Sequence, residues 1–347
     1  MLLPIVPVIA AAATLGLTPV VQTLGLKWGW VDQPGKRKVH QKPIVRVGGI
    51  AIFAGAMAAV LLGCLSGFLP DIPAYSGLQL AGILLGGTGF FLIGLLDDIF
   101  HFSPFIRLFL QGLVVCVSWV CGVRVDVLPV PFVGAVSTGL LSLPITFFWL
   151  AGVANAINWM DGLDGLAAGV SAIAALVFGL ICWQNPPLAL VALALAGSLV
   201  GFLRYNVNPA RIFMGDGGSY FLGFTLAAIA AVGLMQIPLQ GSAALPFWVL
   251  AVPIADMTRV ILSRLWDRKS PFFPDQRHLH HKLLQAHFSV RAAVRLVWSL
   301  SAWFGSWVLV VAALPYGPIA LVLSSGLLIL TSFPLWQARF PALVRSR

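Results

Sequence analysis

The sequence predicts an all-α, polytopic membrane protein in which about eleven transmembrane helices form a single domain over residues 1–347. Of the 347 residues, 59% are hydrophobic and only 9% are charged, with a mean hydropathy of +0.96. This composition is far from that of soluble domains. The longest charge-free stretches are also long enough to cross a bilayer, which needs roughly 20 apolar residues. Finally, nearly all Lys and Arg residues fall in the segments between these stretches.

The spans follow the charge-free stretches along the chain. Three of these stretches hold two spans each, because a turn sequence divides them. The dividing turns are Asn185-Pro186-Pro187, residues 237–241 and residues 315–318. The predicted spans are 3–26, 48–69, 78–96, 106–123, 139–157, 166–183, 188–203, 218–236, 243–262, 294–314 and 317–336.

The distribution of basic residues orients these spans. With eleven spans, 20 of the 21 Lys and Arg residues lie on one side, and only Arg124 lies on the other. Basic residues are enriched in cytoplasmic loops, so the N-terminus is predicted to be outside and the C-terminus cytoplasmic. The net charge of +10 thus reflects topology, and no basic soluble domain is left to bind nucleic acid. The predicted cytoplasmic loops are about 27–47, 97–107, 155–165, 204–218 and 263–293.

The first polar motif is a basic loop before the second span. It contains Lys38, His40 and Arg46, followed by the pair Gly48-Gly49. Backbone N–H groups at a helix N-terminus bind anions, and cations at headgroup depth bind lipid phosphates. We therefore predict that Lys38, His40 and Arg46 bind substrate, although lysines alone are typical of any cytoplasmic loop.

The second motif is a pair of adjacent carboxylates, Asp97 and Asp98, at the end of the third span. Carboxylates at this depth are costly unless they are neutralised, and negative charge is unfavourable at a helix C-terminus. Mg²⁺ is a natural partner, because it binds one or two carboxylates together with phosphate oxygens and waters. We predict that Asp97 and Asp98 are catalytic and bind the metal; a solvated helix end is the alternative interpretation.

The third motif, NAINWMDGLDGL at 155–166, places Asn155, Asn158, Asp161 and Asp164 three residues apart. In a helix this spacing puts the four side chains on one slowly drifting face. Asn residues join helices in membranes, but that role does not explain two carboxylates. We predict that the two Asp residues are catalytic and that the two Asn residues bind substrate.

The fourth motif lies between the seventh and eighth spans. It contains Arg204, Asn206 and Arg211, predicted to bind substrate, and then Asp216 between glycines. An Asp at the entry to a span suits a metal ligand near a phosphate. A glycine-rich turn with an N-capping Asp is the alternative.

The fifth motif, SPFFPDQRHLHHK at 270–282, contains Arg277, His278, His280 and His281. The three His residues do not complete a zinc site, because no Cys or second cluster has ligand spacing. We expect His278 and His281 to share a helix face, and we predict that all four side chains bind an anionic substrate. A solvated cytoplasmic helix is the alternative.

Taken in order, these motifs resemble those of the polyprenyl-phosphate N-acetylhexosamine-1-phosphate transferases, the MraY/WecA family of glycosyltransferase family 4. The likeness is closer to the WecA-like branch. It rests on KVHQKPIVRVGG at 38–49, DD at 97–98, NAINWMDGLDGL at 155–166, GDGGS at 215–219 and SPFFPDQRHLHH at 270–281.

The resemblance implies a reaction and a set of roles. A polyprenyl phosphate, undecaprenyl phosphate in bacteria, attacks the β-phosphorus of a UDP-N-acetylhexosamine, and UMP leaves. Mg²⁺, with Mn²⁺ as an alternative, is held by Asp97, Asp98 and Asp216. Asp97 deprotonates or positions the attacking phosphate, Asp161 and Asp164 lie on the nucleotide side, and the His motif contacts the diphosphate or sugar. Arg107 is the first cation after the Asp pair, so the cation that meets the lipid phosphate stays open.

The expected product is a lipid-linked GlcNAc that primes a surface polysaccharide such as O-antigen, made in the bacterial inner membrane at a site facing the cytoplasm. UDP-linked N-acetylfucosamine, N-acetylquinovosamine, GalNAc and MurNAc-pentapeptide are alternative donors. An ion-coupled transporter is the alternative from another class, but its midplane site and inverted repeats do not match motifs gathered at span ends. The sequence leaves the oligomeric state open, a homodimer included.

Overall fold

In a computed structural model, the described residues (3–33, 43–66, 73–130, 134–233, 244–271 and 275–339) are mostly helical. The helices are α1 Val6–Trp28, α2 Gly49–Leu65, α3 Ala74–Phe100, α4 Pro104–Val120, α5 Ser142–Met160, α6 Leu166–Ile181, α7 Pro186–Asn206, α8 Gly215–Gly233, α9 Leu245–Val249, α10 Ala251–Trp266, α11 Leu279–Gln285, α12 Val290–Val311 and α13 Gly317–Arg339. Three short 3-10 helices cover Leu3–Ile5, Gly139–Leu141 and Cys182–Gln184. The all-α prediction is confirmed.

Two short antiparallel hairpins are the only strands in this part of the chain, and the sequence did not predict them. One pairs β1 Val31–Asp32 with β2 Ile44–Val45, and the other pairs β3 Val127–Val130 with β4 Gly134–Ser137. Hairpins this short are not independently stable. The first hairpin contains Asp32 and places it near Arg46, whose backbone N–H donates to the Trp30 carbonyl at 3.1 Å.

Each predicted span coincides with helix over most of its length, with one difference. The predicted span 243–262 is divided at Leu250 into α9 and α10. Among the described residues, six helical segments are long and apolar enough to cross a membrane, and three shorter apolar helices accompany them. The long segments are Leu3–Trp28, Tyr75–Phe100, Gly139–Met160, Leu166–Gln184, Pro186–Asn206 and Val290–Val311.

The helix α8 is the centre of the packing. Every residue from Gly217 to Gly233 is buried, and α8 contacts α2, α3 and α5. Glycines let its first turn approach the neighbouring backbones closely. A Cβ on Gly49 would lie 2.3 Å from the Gly218 nitrogen, and one on Gly94 would lie 2.2 Å from the Asp216 oxygen. The start of α8 is therefore held against α2 and α3.

This packing brings five motif-bearing ends together. The C-terminal ends of α3, α5 and α7 and the N-terminal ends of α2 and α8 lie at the end predicted to face the cytoplasm. The short helix α11 covers them from the loop after α10, and it packs on α12. Motifs far apart in sequence thus form one site.

Candidate active site

Asp98 is fixed by a cation and by the start of α8. Its Oδ1 accepts hydrogen bonds from Nε and NH2 of Arg46, at 3.1 and 2.8 Å. Its Oδ2 accepts one from the Gly217 backbone at 3.1 Å. The first, second and fourth motifs therefore meet at this side chain.

The neighbouring Asp97 has a different cation, Arg107 of α4. Asp97 Oδ2 accepts a hydrogen bond from Arg107 NH1 at 2.8 Å, and Oδ1 accepts one from the Phe102 backbone at 2.7 Å. Arg107 NH1 also lies 4.0 Å from Asp216 Oδ2. Sequence analysis did not assign Arg107 to the site. The available signal was its place as the first cation after the Asp pair.

Asp216 lies in the first turn of α8 and joins the fourth motif to the third. Its Oδ1 accepts a hydrogen bond from the Asn158 side-chain amide at 2.7 Å, and the same amide donates to Ser219 Oγ at 2.9 Å. Asn155 lies one turn further inside α5, where its amide donates to Gln111 Oε1 at 2.9 Å. Asn158 therefore belongs to the carboxylate cluster, whereas Asn155 links α5 to α4.

The expectation of one polar helix face across the third motif is wrong. The helix α5 ends at Met160, with Asp161 as its C-cap, so only the two Asn residues are helical. Asp164 lies in the following loop, where its Oδ2 accepts hydrogen bonds from Asn208 Nδ2 at 2.8 Å and from the Ala210 backbone at 3.0 Å. The helix stops because the Gly-flanked Asp residues prefer turn conformations.

The loop 161–165 is held from three sides. Gly165 has a φ of 79°, in the left-handed region that favours glycine, and its N–H donates to Asn206 Oδ1 at 3.1 Å. The indole N–H of Trp298 in α12 donates to the Gly165 carbonyl at 3.2 Å. On the third side, His280 lies against Gly162. The second half of the third motif is therefore a turn held by neighbouring elements, not part of a helix face.

A cavity of about 740 Å³ opens between these elements. Its charged lining residues are Asp32, Arg46, Asp98, Asp161, Asp164 and Asp216. The lining also includes Gln276 and His281 from the fifth motif, and Gln285 from the end of α11. Asp32 was not predicted as a site residue, and Asp97 and Arg107 are not among the residues that line the cavity.

Asp161 is the least compensated carboxylate in the cavity. Within the described residues, no side chain or backbone group donates a hydrogen bond to it. Burial, together with the nearby carboxylates Asp98 and Asp164, raises the pKa of Asp161 to about 7. A cation bound in the cavity would relieve this repulsion.

The His motif divides into three different environments. His278 Nδ1 lies 2.8 Å from Asp256 Oδ2, and Asp256 Oδ1 accepts the Leu279 N–H at 2.7 Å. The expectation that His278 and His281 share a helix face is wrong, because His278 is the N-cap of α11 with extended backbone. His281 alone of the three lines the cavity.

His280 is 3% exposed and points into the protein rather than into the cavity. Burial, with the nearby imidazoles of His281 and His278, lowers the pKa of His280 to about 3. The ring is therefore neutral at physiological pH. Its contact with Gly162 gives it a role in holding the Asp161–Asp164 loop.

The predicted basic residues are placed unequally. The guanidinium of Arg277 is bound within its own loop, by Asp275, Asp267 and the Ser263 carbonyl. Arg204 and Arg211 are exposed and do not line the cavity. Asn206, the amide predicted with them, lines the cavity; it is 2% exposed and donates to the Ile212 carbonyl. Lys38 and His40 lie outside the described residues.

The carboxylates that line the cavity fit a hard divalent cation that keeps some of its own water ligands. Carboxylate oxygens are the ligands Mg²⁺ prefers, and it usually binds through one or two of them together with waters and substrate phosphates. Across the described ranges, no three His, Cys, Asp or Glu side chains converge into a closed metal site. Asp98, Asp161, Asp164 and Asp216 nevertheless face one cavity, and the uncompensated Asp161 adds to the demand for positive charge there.

Comparison with known proteins gives an independent result. The sequence model of "Glycosyl transferase family 4" matches residues 80–234. The chain is 35% identical over 294 residues to the probable undecaprenyl-phosphate N-acetylglucosaminyl 1-phosphate transferase of Bacillus subtilis, covering 84% of this chain and 80% of the relative. It is 35% identical to the decaprenyl-phosphate N-acetylglucosaminephosphotransferase of Mycolicibacterium smegmatis, covering 85% and 79%. The undecaprenyl-phosphate α-N-acetylglucosaminyl 1-phosphate transferase of Escherichia coli K12 is 31% identical, covering 78% and 73%.

Proposed function

This chain belongs to glycosyl transferase family 4, and we propose that it transfers N-acetylglucosamine 1-phosphate from UDP-GlcNAc to undecaprenyl phosphate. The names of the relatives in Bacillus subtilis and Escherichia coli support this donor and acceptor. The structural observation that carries the proposal is one cavity lined by five Asp carboxylates and Arg46, at the membrane face where the basic loops gather. A transporter does not require this convergence of motifs at span ends.

The proposed step is a phosphoryl transfer. An oxygen of the lipid phosphate forms a bond to the β-phosphorus of the UDP-sugar. The bond from that phosphorus to the oxygen it shares with the α-phosphorus breaks, and UMP leaves with the electron pair. The bond between the sugar and its phosphate is not touched. No strong general base is needed, because the second pKa of a phosphate monoester is about 6.

Bringing two anionic phosphates together is the main electrostatic difficulty. When bound, Mg²⁺ would neutralise phosphate charge and stabilise the charge that develops in the transition state. Asp98 and Asp216, with Asp161 facing the same cavity, would hold it. Asp97, the third predicted metal ligand, is turned toward Arg107 and acts in this proposal through that residue. Mn²⁺ is an alternative ion with similar ligand preferences.

Arg107 is the residue we assign to the lipid phosphate. It bridges from Asp97 toward Asp216, and the neighbouring α4 side chains Phe105 and Phe109 are 75% and 66% exposed. A polyprenyl chain lying along these apolar side chains would deliver its phosphate to Arg107. Asp97 is then a positioning residue that holds the guanidinium in place.

The nucleotide-sugar would occupy the cavity itself. Gln276, His281 and Gln285, which line the same cavity as the carboxylates, provide hydrogen-bonding groups for hydroxyl and acetamido groups of a sugar. We place the site at the cytoplasmic face of a bacterial inner membrane, because the basic loops gather on that side. The lipid-linked product would prime a surface polysaccharide such as O-antigen.

The test uses purified full-length protein with undecaprenyl phosphate, Mg²⁺ and a panel of UDP-sugars. UMP and the lipid product are measured for UDP-linked GlcNAc, GalNAc, N-acetylfucosamine, N-acetylquinovosamine and MurNAc-pentapeptide. We expect UMP release with UDP-GlcNAc only when both the lipid and the divalent cation are present. If UMP is released with a different UDP-sugar and not with UDP-GlcNAc, that sugar is the donor. If no UDP-sugar gives UMP, the transferase proposal is overturned.

A further inference from the structure

Two buried polar groups lie one helical turn inside the carboxylate cluster, and no described residue hydrogen-bonds to either of them. The Tyr220 hydroxyl and the Gln111 side-chain nitrogen are both unpaired among the described residues, and both residues are 0% exposed. Leaving such a group without a partner is unfavourable, so a buried unpaired polar atom usually marks an ordered water or ligand. Neither group takes part in the mechanism above.

Helix geometry places these groups in one inner layer. Tyr220 follows Asp216 by one turn on α8, and Gln111 follows Arg107 by one turn on α4. Asn155 precedes Asn158 by one turn on α5. Because α4 and α8 run inward from this end and α5 runs outward, all three inner residues lie about 5 Å deeper than their outer partners.

The two layers are connected on several sides. In the inner layer, Asn155 donates to Gln111 Oε1 at 2.9 Å. In the outer layer, Asn158 donates to Asp216 at 2.7 Å, and Arg107 lies 4.0 Å from the same carboxylate. Tyr220 interacts electrostatically with both Asp216 and Arg107. The Tyr220 side chain, one turn inside Asp216 on α8, is therefore close to the Arg107–Asp216 pair.

We propose that Tyr220 and Gln111 form an inner polar site that binds an oxygen atom beneath the Arg107–Asp216 pair. Gln111 Nε2 is a donor only, and the tyrosine hydroxyl both donates and accepts, so the ligand must accept hydrogen bonds. A resident ordered water has this chemistry, and so does a phosphate oxygen of the polyprenyl lipid. Whether the ligand is the water or the lipid phosphate oxygen, Tyr220 acts through it as a positioning residue for Arg107 and Asp216.

Removing the Tyr220 hydroxyl tests whether the inner polar site holds an oxygen ligand or is empty. Removing a hydroxyl that hydrogen-bonds a buried water lowers stability, whereas removing one buried without a partner leaves stability unchanged or raises it. The test variant is Tyr220→Phe. The matched control is Thr225→Val on the same helix, because the Thr225 hydroxyl is also buried and unpaired but belongs to neither layer.

Two measurements on the detergent-solubilised full-length protein distinguish the sources of the oxygen. With a resident water, Tyr220→Phe unfolds about 2 °C or more below wild type without substrates, and kcat falls roughly fivefold with an unchanged KM for undecaprenyl phosphate. With a lipid phosphate oxygen, the unfolding temperature does not fall, but the KM for undecaprenyl phosphate rises roughly fivefold. Thr225→Val should lower neither the unfolding temperature nor kcat, and it should leave the KM for undecaprenyl phosphate unchanged.

If Tyr220→Phe matches wild type in unfolding temperature, kcat and KM, the inner site does not exist. The kinetic arm rests on the proposed function, but the unfolding arm does not. A wild-type protein that releases no UMP would therefore overturn the proposed function, while the unfolding comparison would still decide whether water is bound.

Discussion

The side-chain amide of Asn158 donates a hydrogen bond to Asp216 Oδ1 at 2.7 Å, across 58 residues of sequence. This contact connects the end of α5 to the start of α8 and aims the Asp216 carboxylate at the cavity. An amide is well suited to this position, because it orients a carboxylate without neutralising the charge that a metal ion needs.

Replacement of Asn158 by Ala should therefore impair the reaction more than the fold. We expect kcat/KM to fall roughly ten- to hundredfold, because a hydrogen bond to a charged group contributes about 1.5–3 kcal/mol. The Mg²⁺ concentration needed for half-maximal rate should rise as well. UMP release over a Mg²⁺ titration measures both effects. Asn185→Ala, at the predicted opposite membrane face, is the control, and equal rates for the two variants would contradict the assigned role.

Gly162 should not tolerate even a methyl group. A Cβ there would lie 2.3 Å from His280 Nε2, and the His280 ring is only 3% exposed, so it would have to shift within its packed surroundings. We expect Gly162→Ala to lower activity at least tenfold and to cost about 1–3 kcal/mol of stability. Gly152→Ala in α5 is the matched control, because a Cβ at that position meets nothing within 4 Å. Combining Gly162→Ala with His280→Ala should recover part of the lost stability, and a further additive loss would show that the contact is not the cause.

Magnesium binding should depend on pH through Asp161. Its pKa is raised to about 7 by burial and by Asp98 and Asp164. In the metal-free protein, Asp161 therefore loses stabilising free energy as the pH rises from the unfolded pKa near 4 to about 7. Below about pH 7 a bound proton competes with the cation. Mg²⁺ should thus raise the unfolding temperature more at pH 8 than at pH 6.

Thermal unfolding of wild type and Asp161→Asn, with and without MgCl₂, measures this difference. The variant lacks the titrating carboxylate, so its Mg²⁺-induced shift should be smaller and nearly the same at both pH values. An equal pH dependence in the two proteins would assign the effect to another group.

Asp97→Asn tests the positioning of Arg107. The carboxamide still accepts from the Phe102 N–H but loses the ion pair with the guanidinium at 2.8 Å. We expect kcat to fall on the order of 100-fold. The pH–rate profile should keep its wild-type shape, because the lipid phosphate is already ionised near neutral pH.

Asp126→Asn, at the opposite membrane face, provides the control for charge removal. Near-normal turnover of Asp97→Asn would remove Asp97 from the mechanism. A changed pH profile would instead favour Asp97 as the base.

The sequence alone determined the membrane class, the helical architecture and, Asp32 excepted, the charged residues that line the cavity. These follow from one-dimensional properties, because apolar length measures bilayer thickness, and short polar motifs in an apolar chain stand out against their surroundings. The close sequence relatives then supported the reaction class that the motifs implied.

The tertiary structure decided which of these residues act together. Sequence spacing suggested one helix face for Asn155 to Asp164, but the chain turns after Met160, and the loop is held by His280 and Trp298. Sequence spacing also could not show that Asp97 and Asp98 point to different cations, or that Arg277 is bound within its own loop. Directions of side chains at helix ends depend on contacts with other elements, and local sequence does not encode those contacts.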